Sequence, residues 1–214
     1  VNPVDAWAYT GGDKCADFFT LMLRTYAIDV PAKAHVFEIG SAEFDWLTNA
    51  HKSWPDMTLS GIDVRRRKNV PHGVWFHNSD VLTYEHPVDT LDWVVAVSTI
   101  EHVGLGHYGD PKDPDGDTKV LALAYKWLKP GGWLSFDVPW NAGKRAYEVV
   151  GTSHRVYDED AVESRLVAGL PWRQAWTGCA HLKKTKELVV NPEPLKGGET
   201  FYYRGFHWQK PHGH

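Results

Sequence analysis

Apolar and polar positions change period several times along this chain, and each change marks an expected element. From Asp13 to Tyr26 the apolar residues Phe18, Leu21, Met22 and Tyr26 fall at helical intervals, and Pro31 closes the segment. His35 to Ile39 then reads as a buried strand, Gly40-Ser41-Ala42 as a turn and Phe44 to Lys52 as a helix. Thr58 to Val64 and Val74 to Asn78 are the next two strands. Leu91 to Ser98 is strongly apolar between polar flanks, as a central parallel strand should be. Thr118 to Leu128 has helical periodicity, Lys129-Pro130-Gly131-Gly132 stops it, and Trp133 to Val138 is a fifth strand.

This alternation predicts an α/β fold with a mostly parallel sheet and helices on both faces. After Pro139 the pattern changes. Glu159 to Ala168 is expected to be helical, with Trp172 to Lys183 and Thr200 to Gln209 as strands forming an antiparallel edge hairpin, seven strands in all. The chain of 214 residues shows no repeat or long linker, so a single domain is expected. Its parts are an N-terminal helical segment (1–33), a core (34–140) and a C-terminal helix with edge strands (141–214).

Composition narrows the function classes. The longest nearly apolar run, Trp93 to Ile100, is far short of the ~20 residues a membrane helix needs. The N-terminus lacks the basic, apolar, small-residue order of a signal peptide. Cys15 and Cys179 have neither metal-ligand nor disulfide-framework spacing, so a reducing, cytoplasmic setting is expected. A formal charge of −4 argues against a protein built to wrap nucleic acid. The local exception, Arg65-Arg66-Arg67-Lys68, is read first as a solvated loop and second as a nucleic-acid contact. The histidines of the tail, Phe206 to His214, match no ligand spacing.

Candidate chemistry begins at Val36-Phe37-Glu38-Ile39-Gly40-Ser41-Ala42. A strand carrying an acidic residue, followed by a turn of small residues and a helix, lets backbone approach a ligand closely. Gly61-Ile62-Asp63-Val64 places a second carboxylate at the next strand end, about 20 residues after the turn, where it can take both hydroxyls of a ribose. Asn78-Ser79-Asp80-Val81 follows the third strand, where a polar side chain can meet an adenine amino group. A dinucleotide site would need G-x-G-x-x-G to seat a pyrophosphate. Gly40-Ser41-Ala42-Glu43-Phe44-Asp45 has one glycine of the three and two carboxylates where phosphates would lie.

These motifs, with Leu128-Lys129-Pro130-Gly131-Gly132 ahead of a strand, resemble the class I S-adenosylmethionine-dependent methyltransferases over roughly residues 34–140. The resemblance implies a Rossmann-like methyltransferase fold with a seven-stranded sheet. It implies S-adenosylmethionine as cofactor, with Glu38 and Gly40 by its methionine part, Asp63 by the ribose and Asp80 with Val81 by the adenine. Ser41, Ala42, Val64, Ser79 and Ser98 complete the expected contact set. The family's first loop alternates glycines, whereas here Ser41-Ala42-Glu43 follow a single glycine. A noncatalytic cofactor-binding domain is the remaining alternative.

The acceptor is expected on the long loop after the fourth strand, because ligands of open α/β sheets bind beyond the strands' carboxyl ends. Gly104-Leu105-Gly106-His107-Tyr108-Gly109-Asp110-Pro111, continuing through Asp113-Pro114-Asp115-Gly116-Asp117, resembles an uncharacterised methyltransferase-like family with a GLGRYGDP-x-DPDGD signature, His107 replacing its arginine. His154-Arg155-Val156-Tyr157 matches that family's HR-x-Y element, and the resemblance implies a sugar or related small acceptor. His102 and His107 are the candidate bases, imidazole being the side chain that exchanges protons nearest neutral pH. Tyr108, Asp110, His154, Arg155 and Tyr157 are the candidate acceptor contacts. No metal is expected: Gly116 falls two places early for an EF-hand counted from Asp113, and Ser98 stands where an E-x-x-E-H magnesium element has its first glutamate. RNA is the alternative acceptor.

Overall fold

The computed structural model describes residues 30–41, 45–67, 70–140, 147–182, 188–190 and 202–212. The expected helix from Asp13 to Tyr26, Cys15, Ala42 with Glu43, and Lys68 lie outside the described residues.

Strand β1 (His35–Ile39) is flanked by β2 (Thr58–Asp63) and β4 (Leu91–Ala96), with β3 (Val74–Asn78) beyond β2 and β5 (Leu128–Trp140) beyond β4. All of these neighbours run parallel. The later strands are β6 (Glu148–Val150), β7 (His154–Val156), β8 (Arg173–Leu182), β9 (Leu188–Val190) and β10 (Tyr202–Gln209). β10 pairs antiparallel with both β5 and β8, giving the order β3-β2-β1-β4-β5-β10-β8-β9. The seven expected strands are therefore present with their antiparallel hairpin, and the three-residue β9 adds an eighth. A separate ribbon joins β6 to β7.

The pleat explains why β4 is apolar on both faces. Leu91, Val94 and Ala96 join one core cluster, while Trp93 and Val95 point to the other. Helix α1 (Asp45–Ser53) covers the second face through Trp46, Leu47 and Ala50. Helix α2 (Gly116–Trp127) covers the first through Val120, Leu121, Ala124 and Trp127. The chain leaves α2 directly into β5. Lys129 to Gly132 bulge out between the pairs Leu91–Leu128 and Trp93–Trp133, so the expected stop signal is a kink inside a strand.

The helix expected from Glu159 to Ala168 narrows to one α turn, α3 (Glu159–Ala161), capped by Asp158, whose carboxylate accepts from Ala161 N–H at 2.8 Å. It continues over Val162–Val167 as a wider π-type turn. That turn closes with an Ala168 N–H to Glu163 carbonyl bond of 3.0 Å, and Ala168 is left-handed at φ 49°.

One polar relay crosses the middle of the sheet. Trp93 Nε1 donates to Ser135 Oγ at 2.8 Å, and Ser135 Oγ lies 2.7 Å from His207 Nδ1. The His207 ring stacks on Trp133 with centroids 4.2 Å apart. Burial pushes the His207 imidazole down to about 4, so the relay is neutral at physiological pH. Strand order reverses between β1 and β4, which places a crevice at their carboxyl ends. No described helix is long and apolar enough to cross a membrane.

Candidate functional site

The turn after β1 is tied to β2. Gly40 N–H and Ser41 N–H both donate to the Ile62 carbonyl, at 2.8 and 3.2 Å, and the Ser41 hydroxyl reaches it at 3.4 Å. Gly40 has φ +79°, and a Cβ there would run into the Thr99 side chain, so the residue must be glycine on both counts. Glu38 and Asp63, at the carboxyl ends of β1 and β2, are both buried. Asn78 Nδ2 donates to the Asp63 and Val64 carbonyls at 3.1 and 3.0 Å, fixing the start of the β2 loop. Ser79 N–H donates to the Asp63 carbonyl, Asp80 Oδ1 accepts from Leu82 N–H, and Val81 is buried behind them. A cleft of about 570 Å³, lined by Asp80, Leu82, Thr83, Pro111, Lys119 and Leu123 among others, opens beside Asp80.

Asp63 is already occupied. Its Oδ1 accepts from the Arg65 backbone N–H at 2.8 Å and from Arg65 Nε at 3.0 Å, while Oδ2 accepts from Arg65 Nη2 at 3.0 Å. The Arg65 guanidinium lies over the Tyr108 ring, 4.3 Å from its centroid. The first arginine of the basic run is thus held against Asp63 and Tyr108 with its side chain 35% exposed.

β4 ends two residues earlier than its apolar run because Ser98 turns to φ +42°. Asp137, buried on β5, holds that turn. It accepts from Ser98 N–H at 2.7 Å and from the hydroxyl at 3.4 Å. A single 3₁₀ turn, Ile100–His102, follows. Glu101 is 2% exposed, and its Oε2 has no hydrogen-bond partner among the described residues. Burial first, and the Asp137 carboxylate second, hold the Glu101 carboxyl well above the usual range, against its own backbone bond and Arg155.

His102 Nδ1 lies 2.5 Å from the Ser153 carbonyl, which only accepts, so Nδ1 carries the proton and Nε2 faces Glu101 Oε1 at 3.7 Å. Burial lowers the His102 imidazole. The Ser153 bond opposes this, while His107, His154 and Arg65 add to the lowering. His107 stacks near His102 (5.8 Å between centroids), and Tyr108 meets both rings edge-on, at 4.5 and 5.4 Å. His154 stands 6.3 Å from His102 and is lowered by burial, opposed by Glu148 and reinforced by His107.

Three of the expected acceptor contacts have other duties. Asp110 accepts from the N–H groups of Gly104, Gly106 and Tyr108, at 2.8, 3.2 and 3.3 Å, and so folds the loop on itself. Arg155 is fully buried and donates to the carbonyls of Glu101, Val103, Asp113 and Pro114, stitching both ends of the loop together. Tyr157 is buried with its hydroxyl on Asp117 Oδ2 at 2.9 Å, and burial, then that carboxylate, raise it well above the usual phenol range. Asp117 also takes the Arg165 fork, at 2.8 and 2.7 Å. Asp110, Arg155 and Tyr157, expected as acceptor contacts, thus hold the loop in this structure. Arg65, Glu101, Asp137 and Ser153 are the additions. Of these, Asp137 had a legible signal, an acidic residue in the otherwise apolar run Leu134-Ser135-Phe136-Asp137-Val138.

A family model described as "Caenorhabditis protein of unknown function, DUF268" matches residues 77–191, which contain this loop. No curated protein matches the sequence. Among solved structures, the fold is similar to a Burkholderia thailandensis 1,6-didemethyltoxoflavin-N1-methyltransferase holding 1,6-didemethyltoxoflavin and S-adenosylhomocysteine. That match has TM-score 0.61 and 12% identity over 92% of this chain and 78% of that one. An S-adenosylmethionine-dependent methyltransferase from Methanosarcina mazei gives TM-score 0.63 and 11% identity over 88% and 98%. The [4+2]-cyclase SpnF gives 0.59 and 14% over 97% and 86%. The Rossmann-like methyltransferase fold is thereby established. That a cyclase shares it means the activity must be argued from this chain's own site.

Proposed function

The chain belongs to the DUF268 family, and we propose that it transfers a methyl group from S-adenosylmethionine to an oxygen of a small polar acceptor, a sugar or related metabolite, in a reducing cytoplasmic setting. The observation that carries this reading is the placement of Glu38, Asp63 and Asp80 at or just beyond the carboxyl ends of three neighbouring strands, beside the switch point. Asp63 fits a ribose in particular. Its two oxygens already receive a planar pair of N–H donors, and a vicinal diol offers the same pair of donors. Gly40, Ser41, Val64, Ser79, Val81 and Ser98 complete this wall of the site.

The bound cofactor supplies an electrophilic methyl group on sulfur, and the chain's residues do the rest. His102, with Nδ1 held by Ser153, presents an unprotonated Nε2 that takes the acceptor hydroxyl's proton as the oxygen–carbon bond forms. Glu101 Oε1 lies 3.7 Å from that nitrogen, its carboxyl pushed toward the uncharged form by burial. His107 and Tyr108 orient the acceptor from the loop.

Calorimetric titration with S-adenosylhomocysteine, followed by turnover against a panel of hydroxylated metabolites, tests the reading. Binding with micromolar affinity and a turnover that falls ~10²–10⁴-fold in His102→Gln are expected. Absence of any cofactor binding by the folded protein would end it.

A further inference from the structure

Arg65 lies between the two halves of the site. Its guanidinium fork takes both oxygens of Asp63, and its face lies on Tyr108, the residue that also touches His107 and His102. Oδ1 already accepts two donors, the Arg65 backbone N–H and Nε, so a ribose diol that takes both oxygens of Asp63 must break the Nε bond and open the fork. The Arg65 backbone N–H bond to Oδ1 is compatible with a bound diol.

A displaced guanidinium stays charged at any physiological pH and is suited by its planar fork to an oxyanion. The groups on its far side are imidazoles. His107 and His154 flank His102 with ring separations of 5.8 and 6.3 Å. Acidic side chains nearby are engaged elsewhere: Asp110 on three loop amides, Asp113 on Lys119, and Glu101 buried in the interior. Glu148 lies beside His154.

We propose that Arg65, released from Asp63 when the cofactor ribose binds, joins His107 and His154 to receive an oxyanion group on the acceptor, so that cofactor binds first and the acceptor is an anionic hydroxyl compound. This rests on the S-adenosylmethionine reading. It adds a substrate class, carboxylate- or phosphate-bearing, and makes Arg65 the residue through which the two sites communicate. Coupling of this kind is reciprocal: whatever factor the cofactor adds to anion affinity, the anion adds to cofactor affinity.

The test uses S-adenosylhomocysteine by calorimetry, with inorganic phosphate and acetate followed by imidazole NMR shifts, on the wild type, Arg65→Met and Arg65→Lys. In the wild type, S-adenosylhomocysteine should tighten one of the two anions at least about 5-fold, and that anion should tighten S-adenosylhomocysteine equally. The favoured anion tells phosphate from carboxylate. Arg65→Met should bind S-adenosylhomocysteine about 3- to 10-fold tighter, its competitor gone, and lose the anion gain. Arg65→Lys, which keeps the charge without the fork, should retain part of the gain. Weaker or unchanged cofactor binding in Arg65→Met overturns the inference, as does an anion gain that survives there. Failure of wild type and variant alike to bind S-adenosylhomocysteine sinks the methyltransferase reading itself.

Discussion

The middle of the sheet and the loop at its carboxyl edge both bury polar groups, and they do so in opposite ways. In the sheet, Trp93 Nε1, Ser135 Oγ and His207 Nδ1 link neutral groups on three adjacent strands, inside an otherwise apolar layer. At the edge, Arg155 and Asp117 are buried as an ion pair, and their partners come from segments 38 to 54 residues away. Neutral relays cost little to bury and tolerate the low dielectric. Buried charges persist only if every partner is present. The sheet is thus a scaffold, and the edge loop is an assembly that fails as a unit.

Removing the clamp should give the largest effect. Arg155→Met leaves four carbonyls and part of the Asp117 shell without their donor, while the aliphatic stem keeps its packing. The expected loss is about 3–5 kcal/mol of unfolding free energy, read from the denaturant midpoint. A loss below about 1 kcal/mol would mean the edge loop is not held by charge, and the contrast with the sheet would collapse.

The sheet relay should break by acid. Burial depresses the folded-state pKa of His207 to about 4, against about 6.5 for an unperturbed histidine. The unfolded chain therefore binds a proton that the folded state refuses. Stability from this group is full above about pH 6.5 and falls as pH drops toward 4, by an amount on the order of 3 kcal/mol. Thermal melts of wild type and His207→Gln between pH 7 and 4 isolate the contribution. The wild type should lose more over that interval, and equal slopes would remove His207 from the account.

How much of this was legible in the sequence follows the same division. The strands and α2 announce themselves because period and burial are local properties, and β4 could be read as central from Leu91 to Ser98. Acidic strand ends such as Asp63 are legible for the same reason. The edge is not. Asp110, Arg155 and Tyr157 have the side chains of ligand contacts, and nothing near them in sequence shows that Gly104, Val103 or Asp117 will claim them. Arg65 was hidden differently, inside a basic run whose other members give no sign that the first one folds back on Asp63.

Asp63 allows site and stability to be separated. Asp63→Ala should weaken S-adenosylhomocysteine by about 1.5–3 kcal/mol, the scale of lost charge-assisted hydrogen bonds. It should leave the relay of the sheet untouched, so the acid limb of the stability profile stays where it is. An unchanged calorimetric affinity in the folded variant would remove Asp63 from the ribose.

The smallest effect is expected where sheet and loop meet. Ser98 holds φ +42°, a left-handed conformation that costs a side-chain-bearing residue about 1–2 kcal/mol relative to glycine. The site retains it because Asp137 grips the Ser98 N–H at 2.7 Å, a bond that any residue there can make. Glycine relieves the strain but enlarges the unfolded ensemble by about 0.4–1 kcal/mol and gives up the long hydroxyl bond. Ser98→Gly should therefore change stability by less than about 1 kcal/mol. Ser98→Ala keeps the strain and loses the hydroxyl, so it should be the less stable of the two variants. Their order in a paired denaturation experiment decides the point. If alanine proves the more stable, the turn is not strained, and the loop's shape is set by the Asp110 and Arg155 contacts alone.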